Sequence, residues 1–141
     1  MGRRGRPILN VLLDTHVLLW WQAGGKRLSR QASAAIDGAT EILVSPLTAW
    51  EVATLNRLGR LVLDRDPSTW FNDVLRLDRL ALAPLTPEAA VWAGSLGESF
   101  PGDPIDRLLY ATARDVRMPL VSKDERLHAF AAAAGDVQII W

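Results

Sequence analysis

The sequence predicts a three-layer α/β fold, with a mostly parallel sheet between helices, and three features carry that expectation. Short apolar runs of strand length alternate along the chain with segments that carry helix caps. The hydrophobic content of 49% over 141 residues is enough to bury one substantial core. Acidic residues, Asp14 and Asp124, stand directly after two of the apolar runs, where the crevice at the carboxyl ends of parallel strands would open. With no linker, repeat or low-complexity tract, a single domain over residues 1–141 is expected, residues 1–7 forming a flexible basic arm.

Ile8-Leu-Asn-Val-Leu-Leu13 has the continuous apolar character of a strand buried on both faces. Val17 to Trp21 then reads as a helix closed by Gly24-Gly25. Ser29 is placed to cap a helix through Ala39, and Glu41 to Val44 is the next strand. Ser45-Pro46 supplies an N-cap and an N1 proline for a third helix to about Leu58, and Gly59 stops it. Pro67 opens a helix to about Leu77, Leu80 to Ala83 is a strand, and Thr86-Pro87-Glu88 starts a helix through Ala93. Asp103 and Pro104 begin the helix that runs to Val116. Pro119 to Val121 is a strand, Leu127 to Ala134 a short helix, and Val137 to Ile140 a last strand.

Charge and composition exclude several classes of function. Sixteen basic residues, most of them arginine, balance sixteen acidic ones, so overall charge does not mark a polyelectrolyte binder. The absence of cysteine removes disulfide frameworks and thiolate zinc sites, and two histidines, His16 and His128, are too few for an imidazole-rich centre. Any metal must be held mainly by oxygen. The apolar run after the basic start is too short for a secretory core or a membrane span, which points to the cytoplasm.

Five acidic residues stand out. Asp103 occupies an N-cap position and Asp106 lies one turn on, at the border of that helix's apolar arc of Ile105, Leu109, Thr112, Ala113 and Val116. Glu51 falls in the middle of an arc formed by Leu47, Trp50, Thr54, Leu55 and Leu58, with no basic residue to answer it. Asp14 and Asp124 follow strands. If Asp14, Glu51, Asp106 and Asp124 converge, their mutual repulsion demands a counter-charge, and an all-oxygen set suits Mg²⁺ or Mn²⁺ acting on a phosphodiester. Each of these acids also has a purely structural reading, as a cap or as a rim residue reaching solvent. Arg107, Lys123 and Arg126 flank them in sequence and are candidates for phosphate contacts on either side of the cut, or simply solvated charge. His16 is either a proton donor to the reacting group or a packed surface residue.

Four blocks resemble those of PIN-domain ribonucleases of the VapC toxin kind: Leu12-Leu-Asp-Thr-His-Val-Leu-Leu-Trp20, Ser45-Pro-Leu-Thr-Ala-Trp-Glu-Val-Ala53, Asp103-Pro-Ile-Asp-Arg-Leu-Leu-Tyr-Ala-Thr-Ala113 and Leu120-Val-Ser-Lys-Asp124. The resemblance spans nearly the whole chain and implies a five-stranded parallel sheet between helices. It implies a Mg²⁺- or Mn²⁺-dependent endoribonuclease, commonly dimeric, that is silenced by a cognate antitoxin protein. Carried over, it puts Asp14, Glu51, Asp106 and Asp124 in the metal site, with Thr15 and Ser122 as supporting hydroxyls, and leaves Asp103 as either a further ligand or only the cap. Trp20, Trp21 and Trp50 would offer the antitoxin its hydrophobic anchors. Two rivals remain. A small-molecule phosphohydrolase with an Asp14 nucleophile would want a second aspartate where His16 stands; a catalytically silent interaction module would have no use for all four acids.

Overall fold

The computed structural model describes residues 10–141; the expected basic arm and the first two residues of the opening apolar run lie outside them. Among the described residues, five strands form one sheet: β1 (Val11–Leu13), β2 (Ile42–Val44), β3 (Leu80–Leu82), β4 (Leu120–Val121) and β5 (Ile139–Ile140). Their order is β3-β2-β1-β4-β5 and every pairing is parallel, so the sheet expected to be mostly parallel is wholly so. The helices are α1 (Thr15–Gln22), α2 (Arg30–Gly38), α3 (Pro46–Arg57), α4 (Pro67–Leu75), α5 (Pro87–Ser95), α6 (Pro104–Val116) and α7 (Glu125–Ala134).

The pleat sorts side chains between two cores. Val11 and Leu13 face one side of the sheet, where Val17, Ile36, Val52 and Phe71 meet them, while Leu12 faces the other, with Phe100, Tyr110 and Leu127. Helices on both faces explain why the central strands are apolar at every position. Tyr110 is fully buried, and its hydroxyl donates to Asp136 at the edge of this core.

Two departures from the sequence expectation bear on function. α1 and α7 begin earlier than their apolar segments suggest, because Asp14 and Asp124 are themselves the N-caps. On α3 the core-facing residues are Thr48 and Val52, whereas Trp50 is 60% and Leu58 49% exposed. The arc that hydrophobicity marks as inward is therefore no buried stripe: Leu47, Thr54 and Leu55 are half-buried and the other two exposed. Glu51 sits half-buried beside the core face rather than at the centre of a buried stripe.

The chain leaves β1 for β2 and β3 on one side, then returns to β4 and β5 on the other. The reversal of direction opens a crevice between the carboxyl ends of β1 and β4, the place where ligands bind in open α/β sheets.

Candidate active site

Three helix N-termini deliver acidic caps to that crevice. Asp14 Oδ1 accepts from the backbone N–H of Thr15 at 2.7 Å and starts α1. Asp124 Oδ1 accepts from the N–H groups of Arg126 and Leu127 at 2.9 and 3.2 Å and starts α7. At α6 the caps are reciprocal: Asp103 Oδ1 accepts from the Asp106 N–H at 2.9 Å, and Asp106 Oδ2 accepts from the Asp103 N–H at 3.3 Å. Gly102 makes that geometry possible, since a Cβ there would stand 2.4 Å from Asp106 Cβ and 2.8 Å from its Oδ2.

Hydroxyls tie the acids together. Ser122 Oγ donates to Asp14 Oδ2 at 2.8 Å and accepts from the Asp124 N–H at 3.2 Å, so one buried hydroxyl links the ends of β1 and β4. Thr15 Oγ1 donates to Glu51 Oε1, and lies 3.2 Å from Thr48 Oγ1 in the core. His128, which sequence reasoning passed over, fixes the β4 loop from behind: its Nε2 is 3.0 Å from the Ser122 carbonyl oxygen. The contact is local, made by a side chain in the first turns of α7 reaching back past the Asp124 cap.

Asp14, Glu51, Asp103, Asp106 and Asp124 all line one cavity of about 250 Å³, together with His16, Val17, Trp20 and Lys123. Their electrostatics reflect that crowding. Burial, with the like charges of Asp103, Asp14 and Glu51 added, pushes the Asp106 carboxyl up to about 7. Burial also raises Asp14, against the opposing hydrogen bonds from Ser122 and Thr15, and raises Glu51, against the Thr15 hydroxyl. Five carboxyls in one cavity cannot all ionise freely, and the donor set is one that hard divalent cations prefer. As the side chains stand, no three Asp, Glu or His groups among the described residues converge tightly enough to hold an ion. Each acid nevertheless has oxygen lone pairs beyond the hydrogen bonds it accepts.

The flanking cations separate into different roles. Arg107 is occupied elsewhere: its guanidinium donates to the carbonyls of Leu96 and Gly97 at 2.6 and 3.0 Å and lies over the Phe100 ring. These contacts clamp the loop before α6. Arg126 is 72% exposed in its side chain and lies 3.9 Å from Asp124. Lys123 lines the cavity, with its Nζ 5.7 Å from the centre of the Trp20 ring. His16 also lines it and is exposed.

A family model described as the PIN domain matches residues 11–133. Ribonuclease VapC22 of Mycobacterium tuberculosis is 41% identical over 119 residues, 84% of this chain and 90% of that protein. Among solved structures, VapBC-1 of nontypeable Haemophilus influenzae aligns with a TM-score of 0.65 at 11% identity, covering 93% of this chain and 96% of that one. VapC20 of Mycobacterium tuberculosis, described as a sarcin-ricin loop cleaving toxin, aligns with a TM-score of 0.60 at 16% identity, covering 91% and 97%. At these identities the structural matches speak for the fold alone.

Proposed function

The chain belongs to the PIN-domain family, and from that premise we propose that it is a metal-dependent endoribonuclease, the toxin of a VapBC-type toxin–antitoxin pair. The observation that carries the reading is the single cavity lined by Asp14, Glu51, Asp103, Asp106 and Asp124 at the switch point of the sheet. Its support from outside the chain is the 41% identity to a protein named as a ribonuclease.

In this reading Asp14, Glu51, Asp106 and Asp124 hold Mg²⁺ or Mn²⁺. The bound cation would acidify a water and neutralise charge on the phosphodiester. The protein's own part is positional. Ser122 sets the angle of Asp14 and the start of α7, Thr15 aims Glu51, and the reciprocal cap at α6 holds Asp106 towards the cavity. Asp103 serves first as a cap, since its Oδ1 is engaged by the Asp106 N–H, and its Oδ2 would be the oxygen available as a further ligand.

In the same reading the chain acts as one domain and as a homodimer in the cytoplasm. No helix among the described residues is long and apolar enough to cross a membrane. The cognate antitoxin is a protein whose apolar helix docks beside the site. Of the three tryptophans proposed from sequence as its anchors, Trp50 suits the role best: it is 60% exposed and lines a groove of about 390 Å³ with Ala53, Pro67 and Phe71, between α3 and α4. Trp21 packs against the core, and Trp20 sits in a cluster of cations.

Calorimetric titration of Mn²⁺ into the metal-free protein tests the metal site. The wild type should bind and Asp14→Asn and Glu51→Gln should bind much less; equal binding in all three would remove these residues from the site.

A further inference from the structure

We propose that Arg27 and Lys123, held against the ring of Trp20, form a phosphate shelf on the α1 side of the cavity that takes the RNA backbone beside the bond being cut. The inference rests on the ribonuclease reading and deepens it, by giving the substrate strand an exit side. It begins with Trp20, which lines the cavity and is ringed by four groups. The Arg27 guanidinium carbon lies 4.8 Å and Lys123 Nζ 5.7 Å from its ring centre, both within cation–π range. The rings of His16 and Trp141 lie 5.9 and 5.8 Å away at tilts of 46° and 58°. His16 and Trp141 hem in the indole, so it presents a defined surface to the two cations rather than a freely rotating one.

Both cations are exposed, and neither forms a salt bridge among the described residues. Two positive side chains gathered on one ring repel each other, and exposed cation–π contacts are worth only about 0.5–1 kcal/mol. The pair is better suited to sharing an anion than to stabilising the fold. Lys123 is the one lysine or arginine lining the cavity, whose other charged lining residues are the five acids Asp14, Glu51, Asp103, Asp106 and Asp124. Arg107, which follows Asp106 in sequence, is held by backbone carbonyls. A polyanion whose scissile group enters this acidic pocket therefore meets lysine and arginine charge where Lys123 and Arg27 gather at Trp20. Its neighbouring phosphates gain by running over Trp20, where two cations stand on one ring. Trp20 is the positioning residue, acting through the cations it gathers, and Arg27 and Lys123 make the contact.

The test compares Arg27→Ala, Lys123→Ala and the double variant with Trp20→Leu and Trp20→Phe. One measurement is the salt dependence of single-stranded RNA binding in EDTA, where no cleavage occurs. The other is the ratio of kcat/KM for that RNA to kcat/KM for bis(p-nitrophenyl) phosphate, a diester without neighbouring phosphates, in Mn²⁺. Each alanine variant should flatten the slope of log K against log salt by about 0.7, as expected for one phosphate contact on a single strand. The double variant should lower the activity ratio about tenfold or more, chiefly through KM for RNA. Trp20→Leu should reproduce much of that loss, and Trp20→Phe, which keeps an aromatic face, should restore it. An unchanged slope and ratio in the double variant would overturn the shelf and leave the surface to a protein partner, with the ribonuclease reading intact. A wild type that cleaves neither substrate would refute the ribonuclease reading, while the EDTA slopes would still decide the shelf.

Discussion

The Ser122 hydroxyl donates to Asp14 Oδ2 at 2.8 Å across 108 positions of sequence, and through the same oxygen accepts from the N–H of Asp124 at 3.2 Å. It thereby ties the carboxylate at the end of β1 to the cap at the end of β4. Ser122→Ala should leave both acids in place but free to turn. Metal affinity and cleavage should fall by about 10–100-fold, the usual consequence of losing a group that orients a ligand. Stability should drop by only about 1 kcal/mol. An alanine variant with wild-type metal affinity would mean that Asp14 is aimed by its backbone alone.

Neutralising a buried acid in the metal-free protein should stabilise it. Asp14→Asn can still cap α1 and Glu51→Gln can still accept from Thr15, while each removes a charge that burial disfavours. Melting temperatures without metal should rise by about 2–4 °C, and Mg²⁺ should stabilise the wild type more than either variant. A fall of similar size in both variants would recast the acids as structural partners.

That pair of variants also marks the limit of what could be read from residues alone. Asp14, Asp103 and Asp124 were legible because a helix cap is a local device, visible as an acid between an apolar run and a helical segment. Glu51 was found for a reason that the fold only half supports. The arc around it looked inward because it holds Leu47, Trp50 and Leu58, yet the core takes Thr48, whose hydroxyl meets Thr15, and leaves Trp50 in solvent. Hydrophobicity does not distinguish a face that meets the core from one that meets a partner. Arg107 and His128 hold loops through backbone carbonyls at Leu96, Gly97 and Ser122, contacts set by loop paths that hydrophobic periodicity and capping patterns do not encode.

The raised Asp106 carboxyl makes the stability of the metal-free protein depend on pH in a definite direction. Its folded value of about 7 lies above its ordinary 3.8, so between those limits the native state keeps a proton that the unfolded chain releases. Stability must then fall as pH rises through this window and level off above it. The melting temperature in EDTA should be higher at pH 5.5 than at pH 8, and Asp106→Asn should flatten the difference. The increment from added Mg²⁺ should run the other way and be larger at pH 8, because the ligands must be ionised to bind. A melting temperature that climbs with pH in EDTA would contradict the crowding at Asp106.

Gly102→Ala should act on the site through shape alone. The added Cβ would overlap Asp106 Cβ at 2.4 Å, so the side chain or the start of α6 must move. Cleavage should fall by at least about tenfold, since small misplacements of reacting groups are costly. Arg107→Ala offers the contrast: losing two charge-assisted bonds should cost about 1–3 kcal/mol of stability while RNA affinity in the folded fraction changes little. Equal effects of the two substitutions on activity would argue against separate roles.

The central claim, that Asp14, Glu51, Asp106 and Asp124 hold a cation which cuts RNA with water, is tested most directly by the ends it leaves. Purified protein free of any inhibitor, given single-stranded RNA with Mg²⁺ or Mn²⁺, should yield 5′-phosphate and 3′-hydroxyl ends, with no reaction in EDTA or with Asp14→Asn and Asp106→Asn. Cyclic-phosphate ends formed in EDTA, or full activity in both variants, would contradict it.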